Sequence, residues 1–67
     1  MRNHIEALRR ERGMTQQQLA AVLEVSRQTV ISLESGKYNP SLLLAHRLAV
    51  LFGLKIEDLF EFEEEVK

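Results

Sequence analysis

The 67-residue chain has no cysteine and no tryptophan, only one proline and only three glycines. Without cysteine it can form neither a disulfide nor a thiolate metal site, an absence that fits a reducing compartment. Its longest apolar run, Leu48 to Leu54, is seven residues, far short of the about 20 that a membrane-spanning helix needs. The charged amino terminus has no apolar stretch behind it, so no signal peptide and a cytoplasmic location are expected. The two histidines, His4 and His46, stand far apart without a carboxylate at ligand spacing. The scattered glycines build no phosphate-cradling loop, and so small a chain has little room for a pocket. No enzyme activity, no cofactor and no metal are therefore expected. Glu61, Glu63, Glu64 and Glu65 read as a solvated acidic tail rather than a cation site.

What is present is a folded-domain composition, 45% apolar and 28% charged. The expectation is one domain over residues 1–67, with a core over 4–60 and an acidic tail over 61–67. A chain of this size buries only about 60% of its unfolded surface, so its stability is marginal unless something adds to it. The net charge of -1 hides an asymmetry. Residues 1–55 hold eight basic side chains against four acidic ones, whereas residues 56–67 hold one against six. A basic body with an acidic end suits a nucleic-acid partner on one side, and equally suits an ordinary domain with a solvated tail.

Gly13, Gly36 and Gly53 punctuate the chain where helices would end. Ile5, Leu8 and Arg12 follow helical spacing and predict a first helix over about 3–12. Thr15 opens a second, with Gln18 three residues on completing a capping box; Leu19, Ala20, Val22 and Leu23 supply its apolar face, and it ends near Glu24. Ser26 caps a third helix over about 26–35, with Val30 and Leu33 inward. After the Lys37–Pro40 loop, Ser41 caps a fourth over about 41–52. That helix is apolar on two sides: Leu42, Ala45, Leu48, Ala49 and Phe52 form one stripe, and Leu43, Val50 and Leu51, interrupted by Arg47, form another without an obvious partner. Ile56, Leu59 and Phe60 suggest a short fifth helix. The alternation of Phe60, Glu61, Phe62 and Glu63 has the period of a strand.

A short helix, a three-residue turn and a third helix make a helix-turn-helix arrangement, with Ala20 small where the two approach. Two ordinary packed helices would account for that spacing too. The ordered motifs Thr15-Gln16, Leu19-Ala20, Val25-Ser26-Arg27-Gln28, Leu33-Glu34-Ser35-Gly36, Asn39-Pro40-Ser41-Leu42 and Leu48-Ala49 go further. They resemble the Cro/C1-type, or XRE, helix-turn-helix regulators over about residues 4–60. The "VSRQT", "KYNPSL" and "EDLF" stretches are most similar to compact repressors of the cytolysin-operon type. The resemblance implies an all-α fold: a compact five-helix bundle of the lambda repressor-like kind, binding operator DNA as a two-fold dimer. It also implies a small antiparallel sheet joining the chain ends, Met1 to Asn3 with Phe60 to Glu64. Glu24 departs from the family, which commonly has glycine at that turn; a non-glycine residue in a left-handed conformation costs roughly 1 kcal/mol.

The chemistry of reading double-stranded DNA fits the third helix. Arg27 can donate two hydrogen bonds to guanine and Gln28 can pair bidentately with adenine. Thr29 and Ser32 are short enough to permit close approach, and an outward Ile31 would suit a thymine methyl. Thr15, Gln16 and Ser26 at helix starts, Lys37, Tyr38 and Asn39 after the reading helix, and Arg9, Arg10 and Arg12 on the first helix are candidates for phosphate. The resemblance pairs Arg9 with Glu34, joining the first helix to the end of the third. Each of these residues is also compatible with a plain solvated side chain. Leu43, Leu51, Leu54, Phe60 and Phe62 are candidates for a homodimer interface that would place two reading helices about 34 Å apart. The function expected is a sequence-specific regulator, a repressor on a palindromic operator. The alternative is a protein-interaction module or antitoxin whose partner protein engages the acidic carboxyl-terminal tail.

Overall fold

The computed structural model describes residues 2–62. Five helices and a two-stranded sheet follow in the order β1 Arg2–Asn3, α1 Ile5–Glu11, α2 Gln16–Leu23, α3 Arg27–Glu34, α4 Leu42–Phe52, α5 Ile56–Leu59 and β2 Phe60–Glu61. The expected bundle is present, with α1, α3 and α4 three, two and one residues shorter than their patterns.

Local chemistry sets the boundaries. The Thr15 hydroxyl accepts from the Gln18 N–H at 3.0 Å while the Gln18 side chain accepts from the Thr15 N–H at 2.8 Å, closing the capping box of α2. Ser26 caps α3 through the Thr29 N–H at 3.1 Å, and Ser41 caps α4 through the Leu44 N–H at 3.1 Å. Glu24 follows α2 in a left-handed conformation, φ 61° and ψ 43°, the geometry for which glycine would be cheaper. Arg47 stabilises that turn from α4, donating to the Leu23 carbonyl at 3.1 Å and lying 3.5 Å from the Glu24 carboxylate.

The core is continuous through all five helices. Ile5, Leu19, Leu23, Val30, Leu33, Leu48 and Leu59 are essentially solvent-free, joined by Ala20, Leu44, Ala45, Phe52 and Phe60. Ala20, at 1% exposure, lies in the crossing of α2 and α3, where a larger side chain would push the two apart.

The phase of α4 differs from its pattern. Periodicity puts Leu42 on the inward stripe, yet Leu42 is 81% exposed and Leu44 is buried in its place. Leu42, Leu43 and Leu44 are consecutive, so hydropathy cannot choose which of them faces in. Ser41 fixes the first turn, and the buried arc then runs through Leu44, Ala45, Leu48 and Phe52.

The chain ends meet as the resemblance implies. Arg2 pairs with Glu61 and Asn3 with Phe60 in an antiparallel ladder, and the His4 N–H continues it to the Leu59 carbonyl at 2.9 Å. The strand therefore takes in Glu61, which composition alone assigns to the tail. Met1, Glu63 and Glu64 lie outside the described residues. Asn3 also accepts from the Ile5 N–H and donates to the Leu33 carbonyl at 2.9 Å, tying the sheet to the end of α3.

Candidate nucleic-acid interface

Helix α3 owes its position to what lies behind it. Val30 and Leu33 are wholly buried on its inner side. Its carboxyl end is held by an ion pair: Glu34 Oε2 accepts from Arg9 Nε at 2.6 Å, and Glu34 Oε1 accepts from Arg9 Nη2 at 3.3 Å and from Gln16 Nε2 at 3.1 Å. The side chains of Arg9 and Glu34 are 8% and 5% exposed. The hydrogen bond that Arg9 donates to Glu34 raises the Arg9 pKa above the ordinary arginine value, burial opposes this, and the charges of Glu34 and Glu6 reinforce it. This triad fastens α1, the start of α2 and the end of α3 into one body.

Arg27 and Gln28 occupy the first turn of α3, exposed, and neither side chain has a partner among the described residues. They are the free hydrogen-bonding groups at the leading end of a helix otherwise anchored from behind. Thr29 and Ser32 are half-buried; the Thr29 hydroxyl lies 3.0 Å from that of Ser26 within the helix cap. Ile31 is half-buried rather than fully outward. Beyond α3, Lys37, Tyr38 and Asn39 are exposed in one loop, where the Lys37 N–H reaches the Ser35 hydroxyl at 3.4 Å.

A groove of about 630 Å³ runs between α1, α2 and the start of α3, lined by Arg10, Thr15, Gln17 and Arg27 among others. The fold thus brings candidates from three helices to one concave surface. The capping box occupies the N–H groups of Thr15 and Gln18, which leaves those of Gln16 and Gln17 at the positive end of α2.

Three expectations for phosphate contact change. Arg9 is turned inward, with Nη1 donating to the Met14 carbonyl at 2.7 Å besides its bonds to Glu34, so it positions α3 and is withdrawn from the surface. The Gln16 amide nitrogen donates to Glu34, although Gln16 still lines the groove; Gln17, the neighbour that residue patterns pass over, lines it as well and is exposed. Arg12 is drawn to the far end of α4: it donates to the Leu51 and Phe52 carbonyls at 2.9 and 3.2 Å, and its guanidinium lies 5.1 Å from the centre of the Phe52 ring. Arg10 stays in the groove, paired with Glu6 at 2.7 Å, and both are solvent-exposed.

The dimer candidates separate as well. Leu43 and Phe62 are exposed, Leu54 is 38% exposed, and Leu51 is partly buried against the core. Phe60 is only 3% exposed, because it closes the core beneath the sheet, and so offers no surface to a second chain. Leu42 and Val50, outside the candidate set, are more exposed than any of these. Among the described residues no group of histidine, cysteine, aspartate or glutamate could hold a metal ion. No helix among them is long and apolar enough to cross a membrane.

Comparison with known proteins bears on this arrangement. The family described as "Helix-turn-helix" matches residues 5–59. An uncharacterized HTH-type transcriptional regulator of Archaeoglobus fulgidus is 51% identical over 65 residues, covering 97% of this chain and 93% of that protein. The immunity repressor protein of Bacillus phage phi105 is 35% identical over 63 residues, which cover 94% of this chain and 44% of the repressor. The crystal structure of the restriction-modification controller protein C.AhdI from Aeromonas hydrophila superposes with a TM-score of 0.73 at 30% identity, covering 84% of this chain and 85% of that one. With the capped, anchored α3 in place and the match spanning nearly all of the described fold, the chain belongs to the Cro/C1-type (XRE) helix-turn-helix family and is a transcriptional regulator with a DNA-binding domain.

Proposed function

We propose that this regulator is a cytoplasmic repressor that binds a palindromic operator as a homodimer, entering the major groove with the first turn of α3. The observation that carries the reading is the exposure of Arg27 and Gln28, both unpartnered, on a helix whose opposite face is sealed by Val30 and Leu33. Arg27 donates to the O6 and N7 of a guanine and Gln28 pairs with an adenine, while Thr29 and Ser32 border the same base edges. Phosphates on one side meet Arg10, Thr15, Gln17 and the N–H groups at the start of α2; on the other they meet Lys37, Tyr38 and Asn39. Ser26 serves this interface as the cap that holds the first turn. Repression follows from occupancy of a promoter, and the phage immunity repressor and the controller protein support that assignment by likeness.

Gel retardation with DNA from just upstream of the gene's own start codon tests the reading. Retention by the native chain that is lost in Arg27→Ala and Gln28→Ala supports it. Retention of no DNA, alongside a co-purifying protein, would replace it with an interaction module.

A further inference from the structure

The carboxyl end of α3 is held twice, by the bonds that Glu34 accepts from Arg9 and Gln16 and by Asn3, which donates to the Leu33 carbonyl. Its leading end, where Arg27 and Gln28 stand, hangs on the short connection of residues 24–26 from α2. Two backbone bonds close the end of α2. The Glu24 N–H donates to the Ala21 carbonyl at 3.2 Å, and the Val25 N–H donates to the Ala20 carbonyl at 3.0 Å. This is a Schellman closure, and it needs Glu24 in its left-handed conformation, φ 61°. A glutamate disfavours that conformation where a glycine would not. The turn therefore leans on support from outside.

Arg47 supplies the support. Leu23 ends α2, so its carbonyl is one of those a helix leaves without an internal partner. Arg47 Nη1 reaches across from α4 and donates to that carbonyl at 3.1 Å, a cation at the negative end of the helix dipole, with the Glu24 carboxylate 3.5 Å away. Arg47 lines a hollow with Glu24, His46 and Val50 among others, and no residue of that hollow also lines the groove of Arg10, Thr15, Gln17 and Arg27. Its place is thus behind the turn, apart from the groove.

We propose that Arg47 is a positioning residue for sequence recognition: by holding the turn between α2 and α3 it sets the angle at which Arg27 and Gln28 are presented, without touching DNA itself. The inference rests on the base-reading role of α3 proposed above. Eight residues of helix span about 12 Å, so a tilt of about 5° around the anchored carboxyl end carries the first turn by about 1 Å. A shift of that size takes a hydrogen bond to a base edge out of its working range of about 2.7–3.2 Å. Phosphate contacts survive it, since they depend on charge and on long side chains that can follow. Loss of the clamp therefore costs discrimination between sequences rather than affinity for DNA at large.

Titrations of the native chain, Arg47→Met, Glu24→Gly and the Arg47→Met/Glu24→Gly double variant test this. Each is measured against a duplex that the native chain selects from random DNA and against a shuffled duplex of the same length. Arg47→Met keeps the apolar stem and removes the donor. It is expected to bind the selected duplex about tenfold or more weakly, with its affinity for the shuffled duplex within about twofold of native. Glu24→Gly should discriminate as the native chain does. The double variant should recover most of the loss, because glycine holds a left-handed turn without the clamp. Amide hydrogen exchange without DNA reads the turn directly: the Glu24 and Val25 amides should exchange at least about fivefold faster in Arg47→Met than in the native chain. A fall of equal size on both duplexes overturns the proposal, since lost folded population or a lost phosphate contact would produce it. Unchanged discrimination in Arg47→Met, or no recovery in the double variant, overturns it as well. Unchanged exchange at Glu24 and Val25 overturns the proposal alone and leaves base reading by α3 standing. A native chain that selects no sequence overturns base reading and the proposal with it.

Discussion

At the scale of single residues, the proposed DNA recognition rests on two side chains, Arg27 and Gln28, that have no partner among the described residues. On the proposed reading, truncating either removes a bidentate base contact worth about 1–3 kcal/mol. Each alanine variant should therefore bind its operator about tenfold or more weakly, with little change in affinity for unrelated DNA, as measured by gel retardation against both. Gln17→Ala should lower affinity for both DNAs alike, because a contact to phosphate carries no sequence information. Glu24 offers a different check. Its left-handed backbone, φ 61°, costs roughly 1 kcal/mol that glycine would not incur, and the exposed pair with Arg47 contributes little. Glu24→Gly should raise the melting temperature by about 5 °C, read by circular dichroism. These residues differ in how legible they are. Arg27 and Gln28 stand out in the sequence through the helix-turn-helix resemblance, which puts them in the first turn after the Ser26 cap. Gln17 does not stand out, because only the fold shows that Glu34 has taken the amide of its neighbour Gln16.

At the scale of elements, the helices are legible because their ends are chemically marked. Thr15 with Gln18, Ser26, Ser41 and Gly53 each sit at the boundary their type favours. Replacing Thr15 by alanine should cost about 1 kcal/mol of stability. The phase of α4 is not legible, since three leucines in succession leave the hydropathy pattern without a unique inward direction. The Arg9–Glu34 pair is visible through the family resemblance, but its burial is not, because charge pattern carries no depth. Removing one partner leaves a buried charge unpaired, so Arg9→Met should lower stability by about 3 kcal/mol in urea unfolding, far more than a surface pair would. The raised Arg9 pKa means that its contribution is fully in force below the ordinary arginine range and is lost only as pH rises beyond it. Moving from pH 7 to pH 9 should leave this part of the stability unchanged.

At the scale of the whole molecule, the -1 net charge conceals a body with eight basic and four acidic side chains over residues 1–55. The groove between α1, α2 and α3 and the Lys37–Asn39 loop belong to that body, so DNA affinity should fall roughly tenfold or more between about 50 and 200 mM salt as counterions are displaced. Binding that ignores salt would contradict it. The overall architecture was within reach of the sequence because five apolar patterns separated by marked ends leave few ways to pack. Which apolar side chains of α4 the core leaves outside was not, because three leucines in succession give no unique inward direction.

The central claim is that the first turn of α3 reads bases. Selection of bound sequences from random DNA by the native chain and by Arg27→Ala tests it most directly. The account predicts two inverted half-sites about one helical turn apart for the native chain, each with a guanine preference that disappears at one symmetric position in Arg27→Ala. An identical selected sequence from both proteins, or no enrichment by the native chain, would contradict it.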